Sequence, residues 1–132
     1  MQLKDYLNQF DRFAASIGAQ VLEVEDGCAR AVMTVEEKHL NGADVCQGGA
    51  LFTLADLALA AAVNSHGQAT VGTNAGITYL RSARKGDVLT AEAREENHHK
   101  LPFCEVRVTN QAGELICVMT GTSYRRNAPL MP

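Results

Sequence analysis

The chain has 132 residues, of which 46% are hydrophobic and 20% charged, with a formal net charge of -3. That balance suits one domain over residues 1–132 with a core of its own and no disordered tail. It argues against a nucleic-acid backbone as the main partner, which needs a concentrated positive surface, but leaves room for a small polyanion met by a local basic cluster.

The opening MQLKDYLNQFDRF is amphipathic, with neither the apolar centre of a secretory signal nor the acid-poor look of a transit peptide. Leu3, Tyr6, Leu7, Phe10 and Phe13 recur at helical spacing and predict a helix over residues 3–16, which Gly18 ends. Residues 19–35 alternate around Asp26–Gly27, as a hairpin does. His39 to Gly49 is rich in glycine and short polar residues and reads as a loop. Alanines and leucines then predict a central helix from Gly49 to Ser65, stopped by Asn64, Ser65 and Gly67. It is apolar on nearly every side and should be enclosed. Its run falls short of the ~20 residues that span a bilayer, so a soluble, cytoplasmic protein with no membrane partner is expected. Strands are predicted over 70–80, 88–96, 103–110 and 115–124, with turns at Gly86–Asp87 and at 111–113. Six strands, short connections and one buried helix give an α+β fold, an antiparallel sheet curled around the helix. Such a sheet leaves an edge for a second copy to cover. Cys28, Cys46, Cys104 and Cys117 stand far apart without a CxxC pair, so reduced thiols are expected and no metal site.

The stretch HLNGADVCQGGALFTLADLALAAAVNSHG, His39 to Gly67, resembles the hotdog-fold acyl-CoA thioesterases, most closely their phenylacetate-degradation (PaaI-like) branch. The family pattern is an Asn, a Gly-Gly pair usually preceded by His, and a helical acid eight residues after the first glycine. Asn41, Gly48 and Asp56 fall in register, and Gln47 stands in the place of the His. GITYLRSARKGDVLTAEA is similar to the family's third and fourth strands, with Tyr79, Arg81 and Gly86–Asp87 in familiar places. The likeness covers about residues 37–125. It implies a hotdog fold and hydrolysis of an aromatic or medium-chain acyl-CoA thioester to free acid and CoA. It implies no cofactor beyond the CoA of the substrate, and a homodimer, paired again into a homotetramer, with sites at the subunit interface. Thr73 or Asn74 would then face the partner's acid. A non-catalytic acyl-CoA binding or sensing domain on the same fold is the alternative, to which Gln47 gives substance.

The residues themselves carry a parallel reading. Asp56 lies two turns inside an apolar helix, where it cannot cap the start. A carboxylate withdrawn from water there is costly and should titrate high, a combination concentrated in active sites. It suits attack on a carbonyl or activation of a water to attack. The first-turn N–H groups at Gly48 and Gly49 lack helical partners and sit at the positive end of the dipole. Without Cβ atoms a substrate carbonyl can approach, and Gly48 N–H is expected to be the oxyanion donor. Asn41 and Gln47 flank that turn and are expected to hold water or steady the oxygen; Gln47 does so by hydrogen bonding alone. His39 is expected to pack beneath the loop and His66 to cap the helix end. Arg81, Arg84 and Lys85 form one basic run and His98, His99 and Lys100 another, with Arg125 and Arg126 nearby, all expected to meet phosphates at the pocket mouth. Leu51, Phe52, Leu54, Tyr6, Phe10 and Phe13 are expected to line the acyl pocket.

Overall fold

The computed structural model describes residues 1–97 and 99–132, so the expectation for His98 lies outside the described residues. Leu3–Phe10 forms α1 and Arg12–Ser16 forms α2. One predicted helix is thus two, and Asp11 is the reason. Its N–H closes α1 on Leu7 O, while its Oδ1 accepts the N–H of Ala14 at 3.1 Å and caps α2. β1 (Gln20–Glu25) and β2 (Cys28–Thr34) form the expected hairpin, turned by Gly27 at φ 71°. The remaining elements are α3 (Gly48–Val63), β3 (Gln68–Tyr79), β4 (Val88–Glu95), β5 (Phe103–Thr109) and β6 (Leu115–Pro129). The strands pair antiparallel in the order β1-β2-β4-β5-β6-β3, and the sheet curls around α3.

Alternation sets the core. β4 turns Leu89, Ala91 and Ala93 inward, and β5 turns Cys104, Val106 and Val108 inward, against the buried side of α3. Gly121 of β6 leaves room for the Leu59 side chain of α3 to rest on the sheet, since a Cβ there would stand 2.7 Å from Leu59 Cδ1. Cys46, Cys104 and Cys117 are buried thiols, pushed up by desolvation to about 11, about 12 and about 12.

Two features depart from an enclosed helix and a protected sheet. First, α3 is not covered all round: Gly49, Phe52, Thr53, Asp56 and Ala60 recur at three- and four-residue steps as an incompletely covered stripe. Leu51 and Leu54, expected in the pocket wall, belong to the core instead. Second, the two sheet edges are treated differently. Along β1 the side-chain amide of Asn8 donates to Val21 O at 3.0 Å and accepts from Val21 N at 2.7 Å, as a strand neighbour would. β3 has no such cover among the described residues, and from Val71 to Tyr79 nearly every residue is exposed. Val71, Tyr79 and Leu80 are about half exposed, an apolar edge left open. Among the described residues no helix is long and apolar enough to cross a membrane.

Candidate active site

The entrance to α3 is braced before any substrate arrives. His39, buried, accepts Glu36 N–H at its Nδ1 (2.8 Å) and donates from Nε2 to Ile17 O (2.7 Å). Both ring nitrogens are used, which makes it the packing residue that was expected. Its carbonyl accepts Gln47 N–H at 2.8 Å, and Cys46 N–H reaches Ala83 O at 2.8 Å, so the loop is tied on both sides where it becomes helix. Asn41 organises the loop: its Oδ1 accepts the N–H groups of Ala43 (2.9 Å) and Val45 (3.3 Å). That use leaves the Asn41 amide nitrogen as the part able to meet a ligand.

Gln47 is the residue before the helix, extended, and its side chain makes no capping bond. Among the described residues neither Gly48 N–H nor Gly49 N–H has an acceptor, as the first two positions of a helix dictate. The two glycines have different reasons to lack a Cβ. One at Gly49 would stand 2.9 Å from Gln47 Oε1, the end of a flexible chain. One at Gly48 would stand 2.8 Å from both Cζ and the hydroxyl of Tyr79. That hydroxyl donates to Gly48 O at 3.0 Å.

Asp56 is exposed in the single chain, where the sequence had it withdrawn from water. The protein packed around it still raises its carboxyl above the ordinary aspartate value, burial first and the negative charge of Asp11 second. Eight residues separate it from Gly48, which is about 12 Å along a helix axis. Aspartate is short, so one carbonyl cannot touch both the first-turn N–H groups and the Asp56 carboxylate of the same helix. Next to the helix start, a cavity of ≈ 370 Å³ opens between α2 and α3, walled by Phe13, Ile17, Leu40, Gln47, Gly49 and Thr53. A larger one of ≈ 500 Å³ lies on the outer sheet face among Glu and Arg side chains and holds none of these groups.

Thr73 and Asn74 are both exposed on β3, and alternation does not choose between them because the register shifts between Gly72 and Asn74. Thr73 is the extra residue, its hydroxyl 3.1 Å from Thr122 O and 3.0 Å from Thr122 Oγ1. Phe52 is half-buried on the open stripe. The basic runs do not converge within one chain. Arg81 N–H meets Ile116 O at 3.1 Å at the far end of β3, with Arg84 and Lys85 just beyond. Lys100 O accepts Arg125 N–H at 2.8 Å nine residues further along β6, about 30 Å away, where His99 and Lys100 stand. Arg81 and Lys85 also have carboxylate neighbours, Glu114 at 3.2 Å and Glu37 at 3.9 Å. Arg125 is no phosphate ligand. It is buried, donating to Val63 O (2.7 Å) and His99 O (3.1 Å) and pairing with Glu95 Oε2 (2.9 Å). Glu95 also holds His66 at 3.0 Å, so His66 belongs to this buried network and not to a simple cap. Asp11 and the Tyr79 hydroxyl are what the sequence reading missed. A Gly-Gly pair opening a helix was the available signal that a side chain from elsewhere fills the missing Cβ.

A family profile described as the thioesterase superfamily matches residues 44–117. An Archaeoglobus fulgidus protein is 41% identical over 132 residues, spanning 99% of this chain and 86% of its own. The acyl-coenzyme A thioesterase PaaI of Escherichia coli is 36% identical over 116 residues, 87% of this chain and 83% of that one. The structure of the E. coli PaaI protein superposes with a TM-score of 0.91 at 32% identity, covering 95% of this chain and 91% of that one. A hypothetical thioesterase of Streptococcus pneumoniae, solved with coenzyme A, superposes with a TM-score of 0.86 at 27% identity over 93% of this chain and 98% of its own.

Proposed function

The chain belongs to the thioesterase superfamily, as a PaaI-like hotdog protein and thioester hydrolase, and from that premise we propose that it cleaves aromatic or medium-chain acyl-CoA thioesters to free acid and CoA at a site completed by a second copy of itself. The observation that carries this reading is the pairing of two unpartnered first-turn N–H groups with a carboxylate on the same open stripe, too far along the helix to serve the same carbonyl. A two-fold arrangement resolves the distance, because the helix start of one copy then meets the Asp56 of the other. The open β3 edge is the surface for it: antiparallel pairing of two β3 edges is self-complementary and buries Val71, Tyr79 and Leu80. The same pairing brings the Arg81, Arg84 and Lys85 end of one copy beside the His99 and Lys100 end of its partner, gathering the phosphate ligands that one chain keeps apart. Thr73 and Asn74, exposed on that edge, are then placed toward the acid.

In this site the thioester oxygen accepts hydrogen bonds from Gly48 N–H and Gly49 N–H, donors fixed before the reaction starts. Asp56 takes a proton from a water positioned with the help of Asn41 and Gln47 amides, the water oxygen bonds to the carbonyl carbon, and the charge gathers on the oxygen facing the glycines. Collapse breaks the carbon–sulfur bond and CoA leaves as thiolate. The cavity of ≈ 370 Å³ beside Gln47 and Gly49 has room for an aryl or medium-length acyl group. A cytoplasmic location and a dimer of dimers belong to the same proposal. The test is thiol release from 4-hydroxybenzoyl-, phenylacetyl- and medium-chain acyl-CoAs. Asp56→Asn is expected to lower kcat by at least ~100-fold. A loss under about fivefold removes Asp56 from the chemistry.

A further inference from the structure

The N–H groups of Gly48 and Gly49 must be held still to serve as oxyanion donors. Two adjacent glycines are the most mobile pair a helix can begin with, since neither has a Cβ to restrict it. An oxyanion site gains from donors that need no rearrangement as charge develops. Something must therefore supply the missing restraint, and one residue outside the helix touches this turn in the right places.

We propose that Tyr79, from the end of β3, is a positioning residue that locks the first turn of α3 and polarises its donors. This rests on the reading of that turn as the oxyanion site. Two contacts define the role. The ring occupies the volume where a Gly48 Cβ would stand, with Cζ and the hydroxyl each 2.8 Å from that point, so the glycine is shaped to fit the tyrosine. The hydroxyl donates to Gly48 O at 3.0 Å. That carbonyl belongs to the peptide group whose N–H is Gly49's. A hydrogen bond to the oxygen draws electron density away from the nitrogen, and the N–H at the other end becomes a stronger donor. The plane of the Gly48–Gly49 peptide is fixed at the same time. Burial and the neighbouring Cys117 keep the phenol's titration above its ordinary value, so the hydroxyl carries its proton throughout the working pH range. The glycine pair signals that some side chain fills this space, but not which one, because Tyr79 stands 31 residues away.

Tyr79→Phe isolates the effect, because it keeps the ring against Gly48 and removes only the donor. Its kcat is expected to fall about three- to tenfold with KM held within about twofold. The decisive measurement is the infrared carbonyl stretch of ¹³C-labelled phenylacetyl-CoA bound to an Asp56→Asn protein, with and without Tyr79→Phe. A stretch lowered from the free thioester in Asp56→Asn, and moved back toward the free value in the double variant, supports the inference. An equally lowered stretch in both, with the kcat of Tyr79→Phe unchanged, overturns it and leaves the proposed function standing. No lowering in Asp56→Asn itself overturns the oxyanion reading, and the role of Tyr79 with it.

Discussion

Asp56 works against two pressures that both favour its protonated form, the protein packed around it and the charge of Asp11. As the proposed base it must be ionised, so the pH at which activity appears is expected to report these pressures directly. The acid limb of kcat/KM is expected above the ~3.9 of an unperturbed aspartate. Asp11→Asn takes away the second pressure only, because asparagine caps a helix as well as aspartate does, and α2 keeps its start. The limb should move to lower pH in that variant, with folding unaffected; a limb that stays in place removes Asp11 from the electrostatics of the site. The sign for stability is opposite. A raised folded-state value means that the protonated acid is favoured in the native state, and this contribution is lost as pH rises through the folded value. Asn at position 56 should therefore cost activity while relieving the fold at neutral pH, the pattern of a residue kept for chemistry.

At the scale of elements, the buried network of Arg125, Glu95 and His66 joins β6, β4 and the segment after α3. Arg125 also reaches Val63 O at the end of the helix. Removing Arg125 alone leaves the Glu95 carboxylate, 2% exposed, without its main partner. Arg125→Met is expected to destabilise the protein by about 3–5 kcal/mol in urea unfolding, and the Arg125→Met, Glu95→Gln pair to recover part of that loss. Equal losses in single and double variants would show that the charge pair is not what matters. This network also marks where local sequence stops being informative. The starts of β4, β5 and β6, the hairpin at Asp26–Gly27 and the helix after Gly48 were legible because periodicity, turn residues and propensity are local signals. By contrast, β6 runs on to Pro129, five residues past its expected end, because its pairing with β3 continues there. Arg125 reads locally as one more surface cation at the end of a strand, since its partner stands 30 residues away. The break at Asp11 was hidden because the apolar period runs through it and only a cap bond interrupts the helix. The shift at Thr73 depends on β6 and not on β3's own residues.

At the scale of the molecule, the reading turns on which chain supplies the acid. Asp56 and the Gly48–Gly49 donors were legible together as a motif, but they lie about 12 Å apart along one helix, and the proposed function makes them halves of two different sites. Mixing variants decides this. Gly48→Ala drives a methyl against the Tyr79 ring and disturbs the donors, while Asp56→Asn removes the base and leaves the donors alone. Each homo-oligomer is expected to have little activity. When the two are unfolded together, refolded at equal concentration and allowed to exchange, half of the dimers combine one chain of each kind. If the site is shared, one of the two sites in such a dimer has both an intact helix start and an intact acid, and about a quarter of wild-type activity returns. If each chain completes its own site, every site in the mixed dimer carries one lesion and nothing returns. Sedimentation of the wild type should show no monomer at working concentration, because the β3 edge with Val71, Tyr79 and Leu80 would otherwise stay open to water. A fully active monomer would remove the need for a partner and, with it, the two-chain site.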